Sequence, residues 1–308
     1  MSQQKNDSNK LDDSLRLRSE ETYIKLYQIG YNNEKEISEL YSRLNNNPNL
    51  QDIALYCYDF NDEQFSELGA ILGKCSKLVT LFIEIIPRDG FTGSSAYDFA
   101  SSLANCPNLT TFELRSQEEY LQIQDDGAIG IGLGLGNCPN LTTLRLEFST
   151  NRGDSVGAEG AAGLGAGLSK SKTLRTLYID FGDYYEIGDE GVTFLANNIG
   201  KCSDLKILEL ILKNNQFGDE GLSGIVTNLI NCTNFEKLNL SLYFKVIGEQ
   251  GMSILSSHLG QVLNLTSLTL MEDFNHYRDF PLCLNMKNKL LTLCIRLVQK
   301  NIKSLNNY

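Results

Sequence analysis

Residues 202–232 read CSDLKILELILKNNQFGDEGLSGIVTNLINC, and the fold is decided by the recurrence of the phrase inside them. Leu205, Leu208 and Leu210 take the first, fourth and sixth places of a pattern whose other copies begin at Leu50, Leu78, Leu109, Leu141, Leu174, Phe235 and Leu265. Successive copies start 28 to 33 residues apart. A near-constant period of this size marks a stack of like units, each too small to bury its own apolar face. Stacks grow by adding units, so the 308 residues are expected to form one elongated domain.

Two elements follow from the pattern. Alternating apolar residues in Leu205–Leu210 have the period of a short strand. In the next phrase, Val192, Leu195, Ala196 and Ile199 of the preceding unit fall at i, i+3, i+4 and i+7, one face of a helix. Gly188-Asp189-Glu190-Gly191 and Gly218-Asp219-Glu220-Gly221 open those helices, where an acid is expected to cap free amides and suit the dipole. Parallel strands sit about 4.8 Å apart, whereas helices need about 10 Å, so the stack must bend with the sheet inside the curve.

The same stretch resembles the ribonuclease-inhibitor type of leucine-rich repeat, in which LxxLxL is followed by an Asn-x-apolar step and a Gly-Asp-Glu-Gly helix start. Its strands extend to a further apolar position (Phe181, Leu212, Leu242), and in this it looks closer to the Asn-rich arrays of single-celled eukaryotes. The resemblance implies an α/β leucine-rich-repeat solenoid, a horseshoe of about eight full repeats plus caps, with a parallel sheet on the concave face and helices on the convex one. Residues 50–273 are assigned to the array and residues 21–49 to a degenerate N-terminal cap repeat. Residues 1–20, polar throughout, are expected to be disordered. Residues 274–308 are read as a C-terminal capping segment with a basic amphipathic helix, which covers the end of the core or docks a membrane surface or partner.

Composition narrows the function. The chain starts without the apolar core of a secretory signal and has no run of about 20 apolar residues, so a cytoplasmic protein without a transmembrane segment is expected. Five of eight cysteines (Cys75, Cys106, Cys138, Cys202, Cys232) stand three residues before a repeat's first apolar position, which predicts a buried column of reduced thiols. With no CxxC pair and two histidines, no metal site and no acid–base constellation is expected; the chain is read as a non-enzyme without cofactor or small-molecule substrate. The glycine runs Gly127–Gly136 and Gly160–Gly167 lack the Lys-Ser/Thr ending of a phosphate loop and are read as close helix packing. The sequons at Asn108, Asn140 and Asn264 are products of the repeat itself.

Charge points to the type of partner. Of the net −11, residues 280–308 contribute +5 and residues 1–279 therefore −16. An acidic body disfavours nucleic acid and steers a basic protein surface toward it. Strand alternation puts two aligned columns on the concave face: Ala54, Phe82, Glu113, Arg145, Tyr178, Glu209, and Tyr56, Glu84, Arg115, Glu147, Asp180, Ile211. Glu113 should lie beside Arg145, and Arg115 between Glu84 and Glu147. These are either a ladder of neutralising surface pairs or, with aromatics expected to stand on an open face that has no core duty, a binding face. Tyr56, Phe82, Arg115, Arg145, Tyr178 and Tyr243 are the candidate partner-binding residues, with Tyr58 beside them. Loop residues Pro87, Arg88, Phe91, Tyr184 and Tyr185 either lid the core or extend that face. Three functions fit: an interaction scaffold or adaptor, the same scaffold as a subunit of a larger complex, and, by resemblance alone, a GTPase-activating regulator of a small GTPase.

Overall fold

The computed structural model describes residues 23–29, 34–47, 49–87, 92–116, 123–148, 156–182, 187–212, 217–230, 232, 234–242, 249–259 and 267–271. The expectations for the N-terminal tail, for the C-terminal basic helix and for Arg88, Phe91, Tyr184, Tyr185 and Tyr243 lie outside them.

Each phrase becomes one strand and one helix. The strands are β1 (Tyr23–Ile29), β2 (Asp52–Phe60), β3 (Thr80–Pro87), β4 (Thr111–Ser116), β5 (Thr143–Glu147), β6 (Thr176–Asp180), β7 (Ile207–Leu212), β8 (Lys237–Leu242) and β9 (Ser267–Met271). The helices are α1 (Glu34–Asn46), α2 (Asp62–Leu72), α3 (Gly93–Ser102), α4 (Asp125–Leu135), α5 (Ala158–Leu168), α6 (Gly188–Ile199), α7 (Asp219–Leu229) and α8 (Glu249–Leu259). All nine described strands form one parallel sheet in sequence order. The architecture is a leucine-rich-repeat solenoid. Within residues 21–49, assigned to a cap, β1 and α1 repeat the strand-then-helix order, and β1 pairs with β2 in parallel.

Side-chain alternation sets the faces. In β5 and β6, Leu144, Leu146, Leu177 and Ile179 are buried, and the residues between them are half-buried on the other face. Val192, Leu195, Ala196 and Ile199 of α6 close the core from the helix side. Phe148 and Phe181, one step past their strands, pack with ring centroids 5.8 Å apart. The expected strand extension is thus a second row of core residues.

The polar repeat positions tie units together. Asn108, Asn140 and Asn234 donate from Nδ2 to Ser76, Pro107 and Ser203 carbonyls of the preceding repeat at 2.8, 2.7 and 2.7 Å. An asparagine ladder therefore generates the sequons. The cysteine column is buried, and Cys106 and Cys202 donate to Leu72 and Leu168 carbonyls at 3.2 and 3.5 Å. In the one repeat of that series with serine in this place, the Ser171 hydroxyl is buried without a partner.

The acids of the helix starts cap differently from expectation. Asp189 does not cap its own helix; its Oδ1 accepts from Gly218 and Gly221 amides at the start of α7, at 2.8 and 2.6 Å. Asp125 accepts from Gly157 at 2.6 Å, and Asp62 from Thr92 at 3.0 Å and from the Ser95 hydroxyl. The reason is geometric: neighbouring helices start side by side, so an acid reaches the next unit's bare amides more directly than its own. The second glycine of the motif makes room, since a Cβ on Gly221 would stand 2.6 Å from that carboxylate oxygen.

Glycines let α3, α4 and α5 touch backbone to backbone. A Cβ on Gly132 would lie 2.6 Å from the Leu164 carbonyl oxygen and 2.7 Å from its Cα. Each interior glycine costs about 1 kcal/mol of helix propensity relative to alanine, which closer packing offsets.

Candidate functional site

The candidate patch lies on β2 to β6, on the sheet face away from the helices. Parallel register aligns Phe82 with Glu113, Glu113 with Arg145 and Arg145 with Tyr178 in one column. The next column aligns Tyr56, Glu84, Arg115, Glu147 and Asp180. The neighbours read from the sequence are the neighbours found.

Their packing is tighter than a ladder of exposed pairs. Glu113 is 7% exposed, and its Oε1 accepts from Arg115 Nε at 2.7 Å and lies 3.0 Å from Arg145 Nε. Arg145 also pairs with Glu147, donating from Nε at 2.6 Å, and Arg115 Nε lies 3.7 Å from the same carboxylate. Each guanidinium thus lies between two carboxylates on two strands. Each also covers an aromatic ring: Arg145 Cζ is 3.5 Å from the Tyr178 centroid and Arg115 Cζ is 5.4 Å from that of Phe82. Such contacts contribute about 0.5–2 kcal/mol apiece, more where water is excluded.

The expectation of open aromatics is corrected here. Phe82 is only 4% exposed, because Arg115 lies over its ring and Tyr56 packs against it at 5.4 Å. Strands a few ångströms apart let long neighbours close over a ring. Tyr178 and Tyr56 are half-buried, and Arg145 keeps about a third of its side chain in solvent (33%). The solvent side of the patch is therefore guanidinium edges and ring edges, with phenylalanine beneath.

Electrostatics follow from this packing. Burial opposes the Arg145 charge, but Glu147 and then Glu113 outweigh it and its pKa is raised. Burial and the Asp180 carboxylate push the Tyr178 phenol well above its ordinary range. Asp180 receives the Tyr178 hydroxyl at 3.5 Å and the Gly182 amide at 2.8 Å, so it also fixes the strand's exit. Between β2 and β8 the two columns hold five acids (Glu84, Glu113, Glu147, Asp180, Glu209) against two arginines. The face is acidic.

Two features escaped sequence reading. The burial of Glu113 had no signal in the pattern, since alternation assigns a face but not how far neighbours fold over it. The inter-repeat ties of Asp125 and Asp189 did have one, an acid at the same repeat offset two positions before a glycine. Among the described residues no group of three or more His, Cys, Asp or Glu side chains is arranged to hold a metal ion, and no helix is long and apolar enough to cross a membrane.

No protein-family model and no curated protein sequence matches the chain. Among solved structures, it is similar to the leucine-rich repeat domain of the type III effector XopL, at 16% identity and a TM-score of 0.37, over 86% of this chain and 81% of that one. No residue role passes from that domain to this chain.

Proposed function

We propose that this protein is a non-catalytic interaction scaffold or adaptor that holds a protein partner on its concave sheet face. The observation that carries the reading is the Arg145 guanidinium, seated over the Tyr178 ring and fixed between Glu113 and Glu147. Ordering an arginine on binding costs side-chain entropy, and here that cost is met before the partner arrives. Arginine and tyrosine are the side chains that dominate binding hot spots. The contact surface is centred on Tyr56, Phe82, Arg115, Arg145 and Tyr178, and Tyr243 is assigned to it from the strand pattern alone. The acid excess of the two columns favours a partner with a basic contact surface.

The finer assignments rest on sequence. The Gly-Asp-Glu-Gly helix starts support the ribonuclease-inhibitor type of repeat, and the buried, unpaired thiols support a cytoplasmic place. Membership of a larger complex fits the same surface. The GTPase-regulator reading rests on repeat resemblance alone, and no feature of the patch favours it.

Affinity purification from the native cell with wild-type protein and with Arg145→Glu and Tyr178→Ser variants tests the proposal. Phe82 is left intact because it is buried. A partner lost by both variants while each still unfolds cooperatively, at a lowered melting temperature, is the expected result, with wild-type binding weakening as salt rises. Full retention by both would move the site to the rim or helix face.

A further inference from the structure

The outer face of α4 departs from that of its neighbours. After the first turn, residues 127–136 are glycine, alanine, isoleucine and leucine only. Ile129 and Leu133, both half-buried, stand where α6 has Thr193 and Asn197 and α7 has Ser223 and Thr227. On α3 beside it, Tyr97 is 42% exposed. A surface helix is ordinarily polar on its outer side, and one that is apolar there as well is expected to be covered.

These side chains border a groove of about 480 Å³ between α3 and α4. Glycine makes it. Gly93 and Gly130 line its base, where the two backbones meet: a Cβ on Gly130 would stand 2.4 Å from the Gly93 carbonyl oxygen and 2.8 Å from the Tyr97 nitrogen. Tyr97 lines it from α3 and Ile129 and Leu133 from α4, while the exposed Ser94 and Asp126 stand at the end nearest the helix starts. Sites that hold a ligand run from roughly 300 to 1,000 Å³, so there is room for a few side chains.

Charge around the groove has one sign. The outward residue of the first turn is Glu63 in α2, Asp126 in α4, Glu159 in α5, Glu190 in α6 and Glu220 in α7, all of them exposed, and Ser94 holds this place in α3. Asp98 follows Tyr97 and is exposed too. Residues 92–114 and 123–144 contain no Lys or Arg. Apolar walls thus open beside a carboxylate.

We propose that the α3–α4 groove is a second docking surface, which takes a segment of a protein partner that carries an apolar side chain and a Lys or Arg. The apolar side chain lies between Tyr97 and Leu133, and the cation meets Asp126. From Asp126 to Leu133 the helix rises about 10 Å. The two residues of the segment are therefore about three positions apart if it is extended and about seven if it is helical. The apolar contact supplies affinity, and the charge orients the segment and rejects acidic ones. The groove lies on the helix side of the solenoid, so it stands whether or not the concave face binds.

Selection of a displayed library of random linear peptides against the full chain tests the proposal. Enriched peptides should place Lys or Arg at that spacing from Leu, Ile, Met or Phe. Such a peptide, once synthesised, should lose about tenfold or more in affinity with Tyr97→Ser and with Asp126→Lys, the scale of one lost anchor or charge contact. It should bind Arg145→Glu, altered on the concave face, as well as wild type. Ile129→Thr with Leu133→Asn, which gives α4 the outer residues of α6, should remove binding while the chain still unfolds cooperatively. Asp126→Lys changes an exposed residue and decides the matter if the apolar variants fold poorly. No enrichment, enriched peptides without the basic and apolar pair, or binding that survives Tyr97→Ser and Asp126→Lys would overturn the proposal. So would a concentration-dependent dimer of the full chain that the same variants abolish, since a second copy would then occupy the groove.

Discussion

The helix layer and the concave sheet face meet the same demand, that each repeat grip the next, by opposite means. On the helix side at α4–α5, grip comes from side chains that are missing, with Gly132 against the Leu164 backbone. On the sheet side at β4–β6, it comes from the longest side chains available, Arg115 and Arg145, reaching across strands to Glu113, Glu147 and Tyr178. The difference follows from spacing. Strands are close enough for polar side chains to bridge, while helices approach closely only where nothing intervenes. It also teaches that tolerance to substitution should be reversed between the faces, small residues being irreplaceable on one and long charged ones on the other.

The largest expected effect is on the glycine side. Gly132→Ala, ordinarily a stabilising change in a helix, should here destabilise by roughly 2–3 kcal/mol because the new methyl meets backbone rather than a movable side chain. A denaturant midpoint at or above that of wild type would show that the backbones separate freely. Next comes the sheet side, where Glu113→Ala leaves two guanidiniums short of a shared partner. We expect a loss on the order of 2 kcal/mol, below that for a fully buried pair because Arg145 remains partly solvated; Glu209→Ala, without a pairing among the described residues, should change stability by a few tenths at most. Asp189→Ala should cost about 1 kcal/mol, the value of a cap, and Glu190→Ala beside it much less, as measured by urea unfolding.

The smallest effect near neutral pH separates both faces from the thiol column between them. Burial raises the Cys106, Cys138 and Cys232 thiols to about 12 and Cys202 to about 11, against an ordinary 9.0. An acid that ionises less readily when folded contributes stability that is complete below pH 9 and is lost as the pH climbs from there through about 11 to 12. Thermal stability should accordingly hold flat up to pH 9 and then fall, and the column thiols should resist alkylation at pH 8 unless denaturant is added. Rapid native labelling of Cys106 or Cys138, read by mass spectrometry of peptides, would contradict that burial.

Much of this was legible in the residues themselves. The register of Glu113 with Arg145 and of Arg115 with Glu84 and Glu147 came from counting within the repeat, since a parallel sheet with a constant unit leaves one alignment. The thiol column came from the same count. What counting missed was reach. Asp189 was expected to cap α6 and instead caps α7, because sequence separation suggests the nearer helix while space brings the next one just as close. Phe82 was placed on the right face but taken as open, because periodicity records direction and not what folds over a ring.

By itself, then, the sequence determined the unit, its period and the face each side chain takes, since these depend on short-range alternation and on a repeat that must stack to bury its apolar residues. Only the tertiary structure decided how neighbouring units touch: which junctions are tied by aspartate and which by bare glycine backbone. Those contacts join residues about 30 positions apart, and their energies turn on tenths of an ångström that no pattern of residue types encodes.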